Sequence, residues 1–267
     1  MADWSESDIN VPDGRLHVYR RGAGRPVLLA HGATDNGRCW ERVAGALEDA
    51  FELIAYDARG HGLSTDVVEG RRPGEDLVAV VEGLALERPA AMGHSMGAGA
   101  VCEAITMRPD LFAAAVLEDP GWGFTPPRPE SAEAGERIRT LTGWVESLQR
   151  MTLAEVVTTG RTQNPDWHEA DLPAWAESKL QYRPRMGGRG GGGTTDWRER
   201  VKAFACPVLL VCGAPGQALV SPETAAEAVA LSPLVEAVAF DTGHNVRREA
   251  FDGFVAAVTE FLRKNID

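Results

Sequence analysis

The chain has 267 residues, 44% of them hydrophobic, with a formal net charge of −12 at pH 7 and a pI near 5.0. That length suffices for one large α/β domain with an insertion, and the apolar runs stop well short of a bilayer span. The acidic balance argues against nucleic acid or an anionic membrane as partner. The opening Met1-Ala-Asp-Trp-Ser-Glu-Ser-Asp8 is polar and acidic, unlike a signal peptide, so a cytoplasmic location is expected.

Residues 6–20 alternate in polarity on either side of Pro12-Asp13-Gly14, a turn signal, and predict two strands. Short apolar strands are then expected at 27–30, 51–56, 90–92, 113–117, 208–212 and 235–240. Helical patterns at 40–47, 74–86, 96–107, 224–231 and 247–263 lie among them. Strands alternating with helices predict a parallel sheet covered on both faces, with functional residues at the carboxyl ends of its strands. The interval 120–202 breaks this rhythm. It holds Trp122, Trp144, Trp167, Trp175 and Trp197, helical fragments at 131–150 and 172–180, and the tract Gly187-Gly-Arg-Gly-Gly-Gly-Gly193. The tract fits no phosphate loop, because no strand precedes it and no Gly-Lys-Ser/Thr follows, and it reads as a flexible connection. Cys39, Cys102, Cys206 and Cys212 are scattered without a C-x-x-C pair and read as reduced core or near-core residues, so neither a disulfide framework nor a metal site is expected.

Three segments carry chemistry. Gly93-His-Ser-Met-Gly97 falls between a strand and an alanine-rich helix, where a serine is held on a tight turn with its hydroxyl above the sheet. Its glycines are expected where neighbouring chain passes too close for a Cβ. Ser95 is therefore the candidate nucleophile. Val27-Leu-Leu-Ala-His-Gly32 empties into a polar loop, and acyl transfer needs two backbone donors where a carbonyl oxygen becomes an oxyanion. Met96, after the nucleophile and at its helix N-terminus, is the first candidate donor, and Ala33 the second. His31 reads as a residue that shapes this loop, at the edge of a substrate pocket that His94 would also border. Phe240-Asp-Thr-Gly-His-Asn245 follows the last strand. Of the six histidines, only His244 combines a late loop, a preceding glycine and the Ser…His order of this topology, so it is the candidate general base.

The chain resembles the α/β-hydrolase superfamily along nearly its whole length. The matching stretches are Leu28-Leu-Ala-His-Gly32, Tyr56-Asp-Ala-Arg-Gly-His-Gly62 with Ser64, Gly93-His-Ser-Met-Gly97, Pro207-Val-Leu-Leu-Val-Cys-Gly213 and Gly243-His244. The resemblance implies an α/β-hydrolase fold, with a mostly parallel central sheet, helices on both faces and an inserted helical cap. Residues 1–119 and 203–267 would form the core and 120–202 the cap roofing the site. Asp57, Arg59 and His61 would hold loops together. Most tryptophans of the insertion would fill its own small core, while Trp122, three residues past residue 119, would border the pocket.

The sequence departs from the commonest pattern of this superfamily at the triad acid. Most members place an aspartate after the strand matched by 208–212, but this chain reads Gly213-Ala-Pro-Gly-Gln-Ala-Leu-Val220, with Gln217 near the acid's place. An amide cannot stabilise an imidazolium as a carboxylate does. Upstream, Ala113-Ala-Ala-Val-Leu-Glu-Asp119 ends a strand in two carboxylates, and some lipases and lactonases of the superfamily resemble this arrangement. Adjacent strand residues face opposite ways, so at most one of the two points at His244. Asp119, nearer the active end, is assigned; Glu118, Glu223 or a Ser–His dyad remain the alternatives.

The expected reaction is attack of Ser95 on an ester or lactone carbonyl, with His244 moving the proton and no cofactor. A roof rich in tryptophan, with few basic residues near the site, favours a small, fairly hydrophobic and neutral substrate. A dehalogenase or epoxide hydrolase would need a carboxylate at position 95. A carbon–carbon bond hydrolase of the ring-cleavage type, sharing the triad and a similar cap, stays open. So does a low-turnover ligand-binding homologue, hinted at by Gln217. The expected partner is a small molecule, with no nucleic acid and no membrane; a homodimer is left open.

Overall fold

The computed structural model describes residues 3–68, 70, 72–121, 132–183 and 196–266. Trp122 and the glycine tract 187–193 lie outside the described residues. β1 (Ser5–Val11) and β2 (Gly14–Gly22) form an antiparallel hairpin whose turn places Asp13 at a φ of 62°. β2 pairs antiparallel with β4 (Phe51–Tyr56). From β4 onward every pairing is parallel: β3 (Arg25–Ala30), β5 (Ala90–His94), β6 (Ala114–Glu118), β7 (Val208–Cys212) and β8 (Val235–Ala239). The order across the sheet is β1-β2-β4-β3-β5-β6-β7-β8.

The central strands are apolar without interruption because both faces of the sheet are covered. Their side chains divide by alternation. Leu28, Ile54, Ala91, Leu117 and Leu210 pack beneath α2 (Pro73–Gly83), α3 (Met96–Met107), α7 (Trp197–Lys202) and α8 (Pro222–Leu231). On the other face Leu29, Leu53, Met92, Val116 and Val211 pack against α1 (Glu41–Leu47) and α10 (Phe251–Ile266). The predicted helix over 247–263 is broken at Ala250, which leaves the short α9 (Val246–Glu249) starting two residues after His244.

Between β6 and β7 the chain leaves the sheet. α4 (Ala132–Leu148), α5 (Leu153–Gln163) and α6 (Leu172–Gln181) enclose a small core of Leu148, Val156, Trp175 and Ala176, with Trp144 and Trp167 against it. Three of the tryptophans thus pack within the insertion itself. Trp197 does not: it is buried with Val201 in the main core beneath the sheet, so α7, expected within the cap interval, packs as part of the sheet layer.

The Tyr56–Ser64 segment after β4 serves the loops around it. The Asp57 carboxylate accepts the N–H groups of Gly37 and Leu63 and the Tyr19 hydroxyl, while Arg59 pairs with Asp76 and donates to Pro12 and Asp13 carbonyls.

Candidate active site

The elbow after β5 carries the candidate nucleophile. Ser95 takes φ 53° and ψ −111°, a conformation that costs about 1–3 kcal/mol for a residue with a side chain. Close packing enforces it: a Cβ on Gly93 would sit 2.5 Å from the Gly97 carbonyl, and one on Gly97 would sit 2.1 Å from Ala30 O. Met96 begins α3, so its N–H points out of the helix at its positive end. Ala33 is exposed and borders the same cavity as Ser95.

His244 lies on the loop between β8 and α9 and borders that cavity too. Its Nδ1 is 2.5 Å from Asp119 Oδ2. A carboxylate only accepts, so Nδ1 carries the proton and Nε2 presents a lone pair. Among the described residues no hydrogen bond joins Ser95 Oγ to that Nε2; such contacts commonly tighten only when substrate binds. Asp119 is fully buried, at a φ of 40° just past the end of β6. Leu219 N–H donates to its carboxylate, at 3.0 and 2.9 Å from the two oxygens, and Val220 N–H donates to Oδ1 at 2.8 Å. The loop that lacks an acid, with Gln217 exposed on its surface, therefore supplies backbone donors to the acid that comes from β6.

Glu118 takes the other direction. Its carboxylate accepts Arg247 N–H at 2.8 Å and the Arg247 guanidinium at 3.2 Å, and burial pushes it above the usual carboxylate range. Glu223 is exposed in the first turn of α8.

The other histidines have identifiable tasks. His94 Nε2–H donates to the His244 carbonyl at 3.0 Å, and the two rings lie 4.6 Å apart. Burial holds His94 well below the usual histidine range, so it borders the cavity as a neutral prop. His31, expected at the pocket edge, is instead behind it. Its Nε2 accepts Ala58 N–H at 2.9 Å and its Nδ1–H donates to Gly32 O at 2.8 Å, which leaves no ring nitrogen for a substrate. Burial lowers it to about 4 and the neighbouring His61 to about 3. The four cysteines are free and buried; burial raises Cys102 and Cys212 to about 12 and Cys206 to about 11, so none of these three supplies a thiolate at neutral pH.

The cavity over Ser95 encloses about 330 Å³. Leu141, Trp144, Trp167 and Trp175 form an apolar wall from the insertion, as the tryptophan count suggests. The expectation of few basic residues is corrected: Lys179 and Arg248 also border the cavity, beside Asn164 and Asn245. These cations come from α6 and α9, far apart in sequence, and only folding gathers them. Both meet Asp35, with Lys179 Nζ at 2.8 Å and Arg248 and Arg247 each at 3.0 Å. Burial alone would raise the Asp35 carboxyl, but Arg248, Lys179 and Arg247 outweigh it and hold it well below the usual range. Asp35 was readable only as part of a polar loop. Among the described residues no group of three or more His, Cys, Asp or Glu side chains is arranged to hold a metal ion, and no helix is long and apolar enough to cross a membrane.

A sequence model described as the alpha/beta hydrolase family matches residues 27–257. The chain is 27% identical to the N-formylmaleamate deformylase of Pseudomonas putida over 93% of its own length and 92% of that protein. A crystal structure of the N-formylmaleamic acid deformylase from the same species superposes with a TM-score of 0.76 at 25% identity, covering 95% of this chain and all of that one. The 2-(acetamidomethylene)succinate hydrolase of Mesorhizobium japonicum is 35% identical over 42% of this chain. That match spans only about two fifths of the relative's length, 40%.

Proposed function

The chain belongs to the alpha/beta hydrolase family, and from that premise we propose that it is a serine hydrolase cleaving a small carboxylic ester or lactone through an acyl-enzyme on Ser95. The observation that carries this reading is the 2.5 Å contact of His244 Nδ1 with buried Asp119, on a histidine that shares one cavity with Ser95.

His244 Nε2 takes the Ser95 proton as the hydroxyl attacks the carbonyl carbon. Asp119 fixes the tautomer and stabilises the imidazolium. The N–H groups of Met96 and Ala33 receive the oxyanion, where losing one donor typically costs ~10²–10³ in rate. His244 then protonates the leaving alkoxide, and water repeats the sequence on the acyl-enzyme. The engaged Asp119 weakens the ligand-binding alternative, since Gln217 was its motive.

A cavity of about 330 Å³ suits a small substrate. Its aromatic wall favours a planar or apolar portion, and the polar side bearing Asn164, Asn245, Lys179 and Arg248 suits a polar or anionic end. A second reading, cleavage of an N-acyl bond by the same residues, is favoured by one observation. The relative matched over 92% of its length is named for removing the formyl group of N-formylmaleamate. A panel of p-nitrophenyl esters, lactones and N-formyl or N-acetyl dicarboxylic half-amides separates the two readings. Turnover confined to esters and lactones supports the first, turnover confined to the N-acyl compounds supports the second, and no turnover of any member contradicts both.

A further inference from the structure

Resting on the serine-hydrolase reading, we infer that Asp35 is a positioning residue that holds the Ala33 oxyanion loop and the His244 loop in register. Three cations from two segments distant in sequence converge on its one carboxylate. Lys179 arrives from α6 of the insertion, and Arg247 and Arg248 arrive from α9. α9 begins two residues after His244, so both guanidinium anchors act on the loop that carries the base. Arg247 extends the chain of contacts to Glu118, the residue before Asp119. Arg248 also donates to Asn245 Oδ1 at 3.1 Å, directly beside the base.

The other side of Asp35 is the oxyanion loop. Asp35 N–H closes a turn onto Gly32 O at 3.2 Å, around Ala33 and Thr34. Thr34 takes a φ of 64°, a conformation rare for a β-branched residue and kept only where surroundings impose it. Lys179 Nζ imposes it from one end by donating to Thr34 O at 3.0 Å while holding Asp35 at 2.8 Å. The direction of the adjacent Ala33 N–H thus depends on the same cluster that anchors His244.

A buried group of three cations and two carboxylates is a poor source of stability, since well-packed apolar residues often do as well or better. Its geometric effect is specific: it ties together segments whose relative placement decides whether donor and base face one carbonyl. A displacement of about 1 Å in such an arrangement can cost ~10² in rate.

The test is Asp35→Asn, assayed with p-nitrophenyl acetate. Active sites are counted by stoichiometric fluorophosphonate labelling, so that misfolded protein does not enter kcat. The expected result is a fall in kcat per labelled site of about tenfold to a hundredfold with KM little changed. The acid limb of kcat/KM moves to lower pH, because the cations around His244 lose a counter-charge and disfavour its imidazolium. A wild-type kcat per labelled site with an unmoved acid limb overturns the inference. If Asp35→Asn does not fold, Asp35→Asn with Lys179→Met removes one charge of each sign and is judged by kcat per labelled site alone, a wild-type value again overturning the inference. Ser95→Ala separates the levels: loss of labelling there beside an unchanged Asp35→Asn overturns this inference alone. Labelling and turnover kept in Ser95→Ala overturn the reading beneath it as well.

Discussion

The sheet and the insertion solve different problems with different amounts of core. Every strand from β3 to β7 is buried on both faces, and the residues proposed for the chemistry stand in or just after the loops at strand ends. The insertion encloses only a small cluster around Trp175, Leu148, Val156 and Ala176, and contributes walls to the cavity. On the proposed reading, the sheet layer carries the reacting side chains and the insertion contributes the cavity wall, with Lys179 as the tie from the insertion to the oxyanion loop.

The largest effect that would break this division comes from the sheet. Asp119→Asn should lower kcat by about 10⁴, by analogy with tautomer loss in the serine protease triad, while KM changes little. Steady-state kinetics check it, and a loss below about tenfold would return the acid's role to another group. Gln217→Asp should restore part of the activity of that variant, because the Gln217 loop already bonds the Asp119 carboxylate.

On the insertion side, Trp175→Ala should cost about 3–5 kcal/mol of local packing. The Trp175 ring lies against Gly160 on α5, where an added Cβ would come within 2.5 Å of it, so the two helices depend on this contact. KM should rise, proteolysis within 132–183 should quicken, and labelling of Ser95 should persist. An unchanged KM would remove the insertion from substrate binding.

Acid should weaken the contact between the sheet and the insertion. The His31 and His61 rings lie 4.9 Å apart, and His61 meets Tyr182, at the end of α6, at 4.8 Å. Burial holds them neutral, at about 4 and about 3 when folded, against about 6.5 in an unfolded chain. The unfolded state therefore binds more protons between those values. Their stabilisation is complete above about pH 6.5 and is lost as pH falls from there through about 4 and about 3. At pH 5.5 each should already have given up about 1 kcal/mol, which denaturant melts at pH 7.5 and 5.5 would detect. Replacing both with glutamine should shrink that difference and leave the part due to His94, which burial also holds well below the usual histidine range.

The smallest effect belongs to Glu118→Gln. The amide can still accept from Arg247, so kcat should fall less than tenfold. Equal losses in Glu118→Gln and Asp119→Asn would erase the distinction between the two neighbours.

Much of the sheet was legible because alternation and short apolar runs are local signals: the strands at 51–56 and 208–212 and the helix at 96–107 lie where the pattern puts them. The elbow was legible because its glycines are sterically required. α5 was missed although Thr152-x-x-Glu155 closes a capping box at its start, a local signal that was available. α7 was missed because six residues carry too little periodicity. The Asp35 cluster was beyond reach: residues 35, 179, 247 and 248 share no spacing rule, and Lys179 on a helix reads as an exposed charge until folding buries it.

The most direct measurement is peptide mapping by mass spectrometry after reaction with a fluorophosphonate, on the wild type and on Ser95→Ala. One adduct is expected, on Ser95, lost together with turnover in Ser95→Ala. An adduct on another residue, with turnover kept in Ser95→Ala, would contradict the proposed mechanism.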